Sequence, residues 1–310
     1  MIRVVVTGGC GYIGSNIVNK LLSNGYEVSI IDNMMTDIPN KNFDCEIINC
    51  DITNQDQLLS IKKKNIDAVL HLAAQSSGPK SIDIPELDIN INIIGTLNML
   101  KWCQANNVPR IIFASSFVVY GDQQGTEYVR ESDYCYPKSV YGISKQYCER
   151  LINIYGTHLG IKWNVLRMFN VYGPGQNLSR TDQGMVSIFM NLVKNKNLIN
   201  VNGSLKRFRD FIHIEDIISG WELCLHDNDH YNQIYNLGSG VKTTISDLLQ
   251  SLIVVFDKKG EVIIKEVGET PGDILGCFAD ISKIKNELGY KPKYDLDIGI
   301  RNMAEWAMSR

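Results

Sequence analysis

Long apolar runs are missing from this chain: nowhere do 18 consecutive apolar residues occur, so no membrane-spanning helix is expected. The opening MIRVVVTGG has no charged segment followed by a long apolar core and a cleavage site, so no cleaved leader is expected either. An excess of charge of one sign is also missing. The 31 lysines and arginines face 34 aspartates and glutamates, a formal net charge of −3 that offers no basic surface to a nucleic acid. Cysteine occurs eight times (Cys10, Cys45, Cys50, Cys103, Cys135, Cys148, Cys224 and Cys277) but never as a CxxC pair. Of the five histidines, His71 and His213 lie in apolar runs as structural histidines would. Neither a disulfide framework nor a metal site is expected; scattered thiols acting as small hydrophobes point to a cytoplasmic chain. Repeats, low-complexity tracts and flexible linkers are absent, so the parts of the chain should pack tightly.

What is present is a rhythm. The 310 residues, 44% of them hydrophobic, exceed a typical single domain. Strands are expected at 2–6, 27–31, 45–49, 68–72, 110–114 and 163–168, largely apolar rather than strictly alternating, as in parallel strands covered on both faces. Helices are expected near 12–23, 54–63, 84–106 and 139–159, and the lysines at 62–64 read as a solvated helix end. This alternation implies an α/β fold built on a doubly wound parallel sheet. After residue 171 the rhythm breaks into VYGPGQNLSRTDQG, a helix near 184–195, and strand-like stretches at 235–238 and 261–267. These suggest a smaller, mixed α/β domain that the chain enters and leaves.

The run VVVTGGCGYIGS places Gly8, Gly11 and Gly14 between the first strand and the first helix. Gly8 permits a tight turn, Gly11 lets backbone approach a pyrophosphate, and Gly14 lets the helix pack close to the sheet. Phosphates then meet the unpaired N–H groups at the helix start. Asp32 follows 18 residues after Gly14, at the end of the second strand, where a carboxylate accepts from the adenosine ribose hydroxyls. No arginine or lysine lies within 33–37 to offset a 2′-phosphate, so the spacing favours NAD over NADP in a Rossmann-type sheet.

The stretch SDYCYPKSVYGISK holds two Tyr-x-x-x-Lys pairs. Pro137 interrupts Tyr134–Lys138, which reads as loop. Tyr141–Lys145 runs on without a break from Ser139, a candidate cap, so the two side chains share a helix face. A phenol has a pKa of about 10. A shift of about three units towards neutrality corresponds to roughly 4 kcal/mol, which the lysine and a nicotinamide charge would supply. The phenolate could then take a proton from a sugar or alcohol hydroxyl while hydride leaves the same carbon. Ser115 or Ser116, at the end of the preceding strand, offers a hydroxyl to the reacting oxygen.

With these features in order, the chain resembles the extended short-chain dehydrogenase/reductase family, in its nucleotide-sugar epimerase/dehydratase branch. The blocks TGGCGYIGS, CDI, HLAAQSS, NINIIGTLN, SSFVVYGD, YGISK, LRMFNVYGPG, RFRDFIHIEDI and PGD carry the resemblance over most of the chain. It implies an NAD-binding domain over 1–170 with a return segment near 212–240, and a substrate domain over 171–211 and 241–310. It puts Gly8, Gly11, Tyr12, Ile13, Gly14, Asp32, Asn33, Leu72, Ala73, Ala74, Asn92 and Lys145 on the cofactor, with Asp51 and Ile52 flanking adenine. Tyr141, Lys145 and Ser116 would be catalytic, with Ser115 beside them. Asn170, Met185, Arg209, Asp273 and Cys277 would face the nucleotide-sugar, and a homodimer would form through the long helices near 84–106 and 139–159.

Related dehydratases follow the serine with an Asp-Glu pair, and related decarboxylases carry a glutamate at the position of Val118. Here Phe117 and Val118 stand there, and neither transfers protons. The resemblance therefore implies a UDP-hexose 4-epimerase working through a transient 4-keto sugar. A nucleotide-sugar 4-ketoreductase, a 2-epimerase and, in another class, a non-enzymatic NAD sensor are the competing expectations. Thr270 replaces a family arginine and Phe211 a common tyrosine, which leaves the sugar and the base open. Cys277 matches a position where a small residue admits N-acetylated sugars, or else it fills the core.

Overall fold

The computed structural model describes residues 2–35, 43–123, 128–180, 182, 184–268 and 275–309. The first part of the chain forms β1 (Arg3–Thr7), α1 (Tyr12–Ser23), β2 (Glu27–Asp32), β3 (Glu46–Asn49), α2 (Gln55–Ser60) and β4 (Ala68–His71). Then come α3 (Gly78–Asp83), α4 (Pro85–Ile89), α5 (Gly95–Ala105), β5 (Arg110–Ser116), β6 (Tyr128–Val129), α6 (Val140–Leu151) and β7 (Lys162–Met168). The remainder forms β8 (Asn170–Tyr172), α7 (Met185–Asn195), β9 (Leu198–Asn202), β10 (Phe208–Arg209), β11 (Phe211–His213), α8 (Ile214–His226) and β12 (Gln233–Leu237). Last are β13 (Thr243–Thr244), α9 (Ile245–Val255), β14 (Ile263–Val267), β15 (Phe278–Ala279), α10 (Ser282–Leu288) and α11 (Leu296–Met308).

Seven strands make one parallel sheet in the order β12-β7-β5-β4-β1-β2-β3. From β1 the chain winds to β2 and β3, then crosses back to β4 on the other side. That reversal opens a crevice at the carboxyl ends of β1 and β4. Successive residues of each strand feed opposite faces. Val4, Val6, Ile30, Leu70 and Ile112 join one apolar cluster, and Val5, Ile31, Val69, Ile111 and Val165 join the other. Double-sided burial explains why these strands read as continuous apolar runs. A third cluster, with Phe189, Met190, Leu248, Leu252, Ile300 and Met303, joins α7, α9 and α11.

Three sequence expectations change. The long helices near 84–106 and 139–159 are each interrupted by a π segment, at Asn90–Ile94 and Ile152–Gly156. The lysines at 62–64 lie beyond the end of α2, not in its last turn; Lys63 instead pairs with Glu46, and its N–H is accepted by Asn106. The stretch at 235–238, grouped with the mixed unit by its pattern but with the return segment near 212–240 by the resemblance, belongs largely to β12, the edge strand of the main sheet. Among the described residues no helix is long and apolar enough to cross a membrane, and all eight cysteines are free thiols.

Candidate active site

The glycine loop joins β1 to α1 at the crevice. Gly8 has φ +69°, and a Cβ there would stand 2.6 Å from the Ala73 nitrogen. At Gly14 a Cβ would stand 2.1 Å from the Gly8 carbonyl oxygen. Gly11 caps α1 without a side-chain acceptor, which leaves first-turn amides, including those of Tyr12 and Ile13, for an anion. The cradle therefore fits the pyrophosphate of a dinucleotide. Asp32 ends β2 and is 8% exposed; its Oδ2 accepts from the Cys10 N–H at 2.9 Å and its Oδ1 from the Met34 N–H at 2.8 Å. The aspartate thus fastens the glycine loop, and each oxygen keeps a second lone pair for a hydroxyl.

Neighbouring positions line the same edge. The Asn33 amide oxygen accepts from the Met35 N–H, Asp51 accepts from the Thr53 N–H at 2.8 Å, and buried Ile52 packs on Gly95. The Leu72 N–H donates to the Thr7 carbonyl at 3.1 Å and the Ala73 N–H to the Thr7 hydroxyl at 3.2 Å; Ala74 follows, half-buried.

Helix α6 presents Tyr141 and Lys145, the pair expected to act as acid and base. Ser139 caps it by accepting the Gly142 N–H at 3.1 Å, and Ser81 of α3 accepts the Tyr141 N–H at 3.0 Å. Two of the helix's orphan donors are thereby satisfied and its first turn is held. The Lys145 ammonium lies 5.8 Å from the centre of the Tyr141 ring and 4.6 Å from that of Phe113, and donates to the Ala114 carbonyl at 2.8 Å. Burial pulls Lys145 down to about 8, while its neighbours Cys148, Asp88 and Glu149 act in the opposite direction. Burial also pushes the Tyr141 phenol well above its ordinary value, and a hydrogen bond with Ser116 opposes it. The expected phenol drawn towards neutrality is not what the protein alone provides, because desolvation outweighs the Ser116 hydrogen bond and the Lys145 ammonium is engaged with a carbonyl.

The two serines part company, as neighbours on a strand must. Ser116 is the one near the phenol, and its hydroxyl caps the 3-10 turn Phe117–Val119. Ser115, expected as an alternative catalytic hydroxyl, donates at 2.5 Å to Glu149, which is itself paired with Arg167 at 2.7 Å. Both partners of that ion pair are 4% exposed, so Ser115 serves a buried structural cluster. The other tyrosine–lysine pair does not form a site: Tyr134 is 76% exposed against Tyr136, and Lys138 pairs with Asp122.

Further out, Asn170 donates from its amide to the Asp210 carbonyl at 3.1 Å, and buried Arg209 donates to the Phe208 carbonyl at 2.7 Å. Sequence reasoning passed over Asp210, whose carboxylate accepts from Ser239 N–H and Oγ–H, Gly240 N–H and Ala279 N–H at 2.7–3.1 Å. It clamps three chain segments beside Arg209. Met185 opens α7 against the third cluster. Cys277 is fully buried in the main cluster, as the core-filling reading expects. Asp273 and Thr270 lie outside the described residues.

Behind α6 lies a polar network the sequence did not disclose. Asn92, expected on the cofactor, is 2% exposed and fully engaged. Its Oδ1 accepts from the Gln75 N–H at 3.0 Å, and its Nδ2 donates to the Gln75 carbonyl at 3.0 Å and the Ser144 hydroxyl at 3.2 Å. The side chain ties the Gln75 backbone to Ser144 of α6. Ser144 and Gln75 both donate to buried Asp88, at 2.6 and 2.7 Å. His71 extends the network between Thr7 and Thr96 at 2.7 and 3.1 Å. Thr96 gives its proton to the Asn92 carbonyl, so the imidazole proton sits on Nε2. The only sequence signal for this network is a cluster of small polar residues inside the quoted blocks.

Comparison with known proteins accords with this geometry. The family model described as "NAD dependent epimerase/dehydratase family" matches residues 4–238. A UDP-glucose 4-epimerase of Thermotoga maritima, solved with UDP-glucose, superposes with a TM-score of 0.92 at 30% identity, covering 99% of each chain. A UDP-N-acetylglucosamine 4-epimerase of Methanobrevibacter ruminantium M1, solved with UDP-N-acetylmuramic acid, gives 0.90 at 32% identity over 99% of this chain and 98% of that one. A UDP-glucose 4-epimerase of Thermus thermophilus, solved with NAD, gives 0.89 at 30% identity over 98% of each.

Proposed function

Because the chain belongs to the NAD dependent epimerase/dehydratase family, we propose that it is a UDP-hexose 4-epimerase that keeps NAD through the catalytic cycle. The observation that carries this reading is the meeting of Ser116, Tyr141 and Lys145 at the sheet's carboxyl edge, with only Phe117 and Val118 following the serine. Elimination and decarboxylation need a further proton-transfer group there. Inversion at C4 needs none, since one acid/base serves both directions.

NAD, when bound, supplies a reversible hydride acceptor and a positive nicotinamide ring. Gly8, Gly11 and Gly14 would hold its pyrophosphate, Asp32 its adenosine ribose, and Lys145 its nicotinamide ribose. Tyr141 as phenolate takes the proton of the sugar C4 hydroxyl and returns it to the same oxygen after the 4-keto sugar has turned over. Ser116 donates to that oxygen, and the Lys145 ammonium favours the phenolate. Arg209 and Asn170 would hold the nucleotide diphosphate, a guanidinium being suited to paired phosphate oxygens. The unit around α7, α9 and α11 forms the substrate-binding part. UDP-Glc/UDP-Gal and UDP-GlcNAc/UDP-GalNAc are the candidate pairs.

The protein works as a homodimer in this reading. Ile89, Ile94, Ile143, Tyr147 and Ile154 leave apolar side chains exposed on the two π-interrupted helices. Such a stripe suits pairing with its own copy. Eight free thiols suit a reducing cytoplasm.

The test is incubation with each of the four UDP-sugars, without added cofactor, with products read by NMR. An equilibrium mixture of 4-epimers from at least one pair is expected. Consumption of added NAD(P)H in step with product would replace the reading with a ketoreductase. In Tyr141→Phe turnover should fall by about 10²–10⁴-fold with NAD content unchanged.

A further inference from the structure

Asp88 is a fully buried carboxylate whose two oxygens accept from two neutral donors, the Ser144 hydroxyl at 2.6 Å and the Gln75 amide at 2.7 Å. Ser144 stands between Tyr141 and Lys145 on α6, so the hydrogen bond fixes the carboxylate against the segment that carries the acid/base pair. Neutral donors orient the charge without cancelling it, and its field is felt where solvent is excluded.

The other titratable groups facing Tyr141 and Lys145 are already neutral or compensated. His71 of β4 is held unprotonated by burial, its pKa drawn down to about 3. Burial pushes the Cys148 thiol of α6 up to about 11, so it carries no charge at neutral pH. Glu149 of α6 accepts Arg167 of β7 through both oxygens, at 3.0 and 2.7 Å. Among the described residues that face the pair, Asp88 alone brings a net charge.

We propose that Asp88 is a positioning residue that supplies the buried counter-charge of the acid/base helix: it keeps the Lys145 ammonium protonated and, through Ser144, fixes where Tyr141 stands. This rests on the epimerase reading for its catalytic consequence but not for its electrostatics. A negative charge favours the protonated form of each neighbour. Its removal should therefore lower the proton affinity of Lys145 and of Tyr141 together. The base then ionises at lower pH, and the lysine loses its proton at lower pH.

The experiment compares wild type with Asp88→Asn, both as purified with their cofactor, by NMR titration of [ε-¹³C]lysine, the Lys145 signal being assigned from its loss in Lys145→Met. The Lys145 pKa should drop by about one unit or more. Both limbs of the pH profile of kcat/KM should move to lower pH. A Lys145 pKa unchanged in Asp88→Asn overturns the proposal, as does a profile that is scaled down without displacement. Ser144→Ala, which keeps the charge and removes the tether, should lower kcat with the lysine titration unmoved. If Asp88→Asn does not fold, Asp88→Ser leaves room for a water between the two donors and carries the same titration. A shifted lysine in a protein inactive on every UDP-sugar would uphold the counter-charge and sink the epimerase reading; activity with an unshifted lysine would do the reverse.

Discussion

The buried hydroxyl of Ser81 accepts the backbone N–H of Tyr141 at 3.0 Å while donating to the Gly78 carbonyl at 2.6 Å. The helix that carries the proposed acid/base residue in its first turn is thus tied to α3 at that residue. Ser81→Ala leaves a donor and an acceptor unpaired in the interior, which should cost about 1–3 kcal/mol in urea denaturation. Because the lost bond is to Tyr141 itself, kcat should fall about tenfold with KM little changed. Lower stability with an unaltered kcat would show that the bond holds the fold and not the tyrosine.

Gly14 decides whether the dinucleotide cradle can close. A methyl group there would meet the Gly8 carbonyl oxygen at 2.1 Å, and that oxygen belongs to backbone that also accepts the Gly11 N–H at 3.0 Å. Gly14→Ala should therefore spread the loop from the start of α1. The expected outcome is purified protein with less than about a tenth of the wild-type NAD content, in line with the 1.4 kcal/mol that a tenfold loss represents. Normal NAD content in a folded Gly14→Ala protein would refute the close-packing account.

Much of this arrangement was legible beforehand, because each legible feature is local. Strands buried on both faces leave continuous apolar runs, and Pro137 between Tyr134 and Lys138 separates the loop pair from the helical one. What stayed hidden depends on partners far apart in the chain. Ser115 and Ser116 are equivalent in sequence until Glu149, 34 residues on, claims the first. Asp88 gains its meaning from Ser144, 56 residues away, and Asn92 gains its bond to Gln75 across 17 residues. The π segments leave no mark in apolar periodicity, and the burial of Cys277 follows from packing rather than from its neighbours in sequence.

The serine assignment and the buried ion pair can be separated by substitution. Ser116→Ala should reduce kcat with little change in stability, whereas Ser115→Ala should lower stability with kcat retained. Glu149→Gln strands the Arg167 guanidinium in a site 4% exposed, at an expected cost of about 3–5 kcal/mol. Replacing both, as Glu149→Leu with Arg167→Met, should cost less than either single change, since no uncompensated charge remains. Chemical denaturation of Glu149→Gln, Glu149→Leu, Arg167→Met and the double variant settles the order, and a double variant less stable than both Glu149→Leu and Arg167→Met would contradict it.

The two buried histidines set the acid side of the stability curve. Burial draws His71 down to about 3 and His213 to about 4, below the ordinary 6.5 of the unfolded chain. The unfolded state therefore takes up protons first as pH falls. The stability they confer is fully present above about pH 6.5 and is lost as pH drops through the folded values, at up to about 1.4 kcal/mol per unit for each histidine. Between pH 7 and 5, before most carboxylates titrate, the unfolding free energy from urea curves should decline with a slope approaching two protons. His71→Gln keeps a donor and an acceptor between Thr7 and Thr96, whose hydroxyls now flank the ring at 2.7 and 3.1 Å. The variant should be less stable at pH 7, yet its slope should fall by about one proton. A wild-type stability that is flat across this range, or a slope that the substitution leaves intact, would show that His71 is not the buried neutral group the geometry makes it.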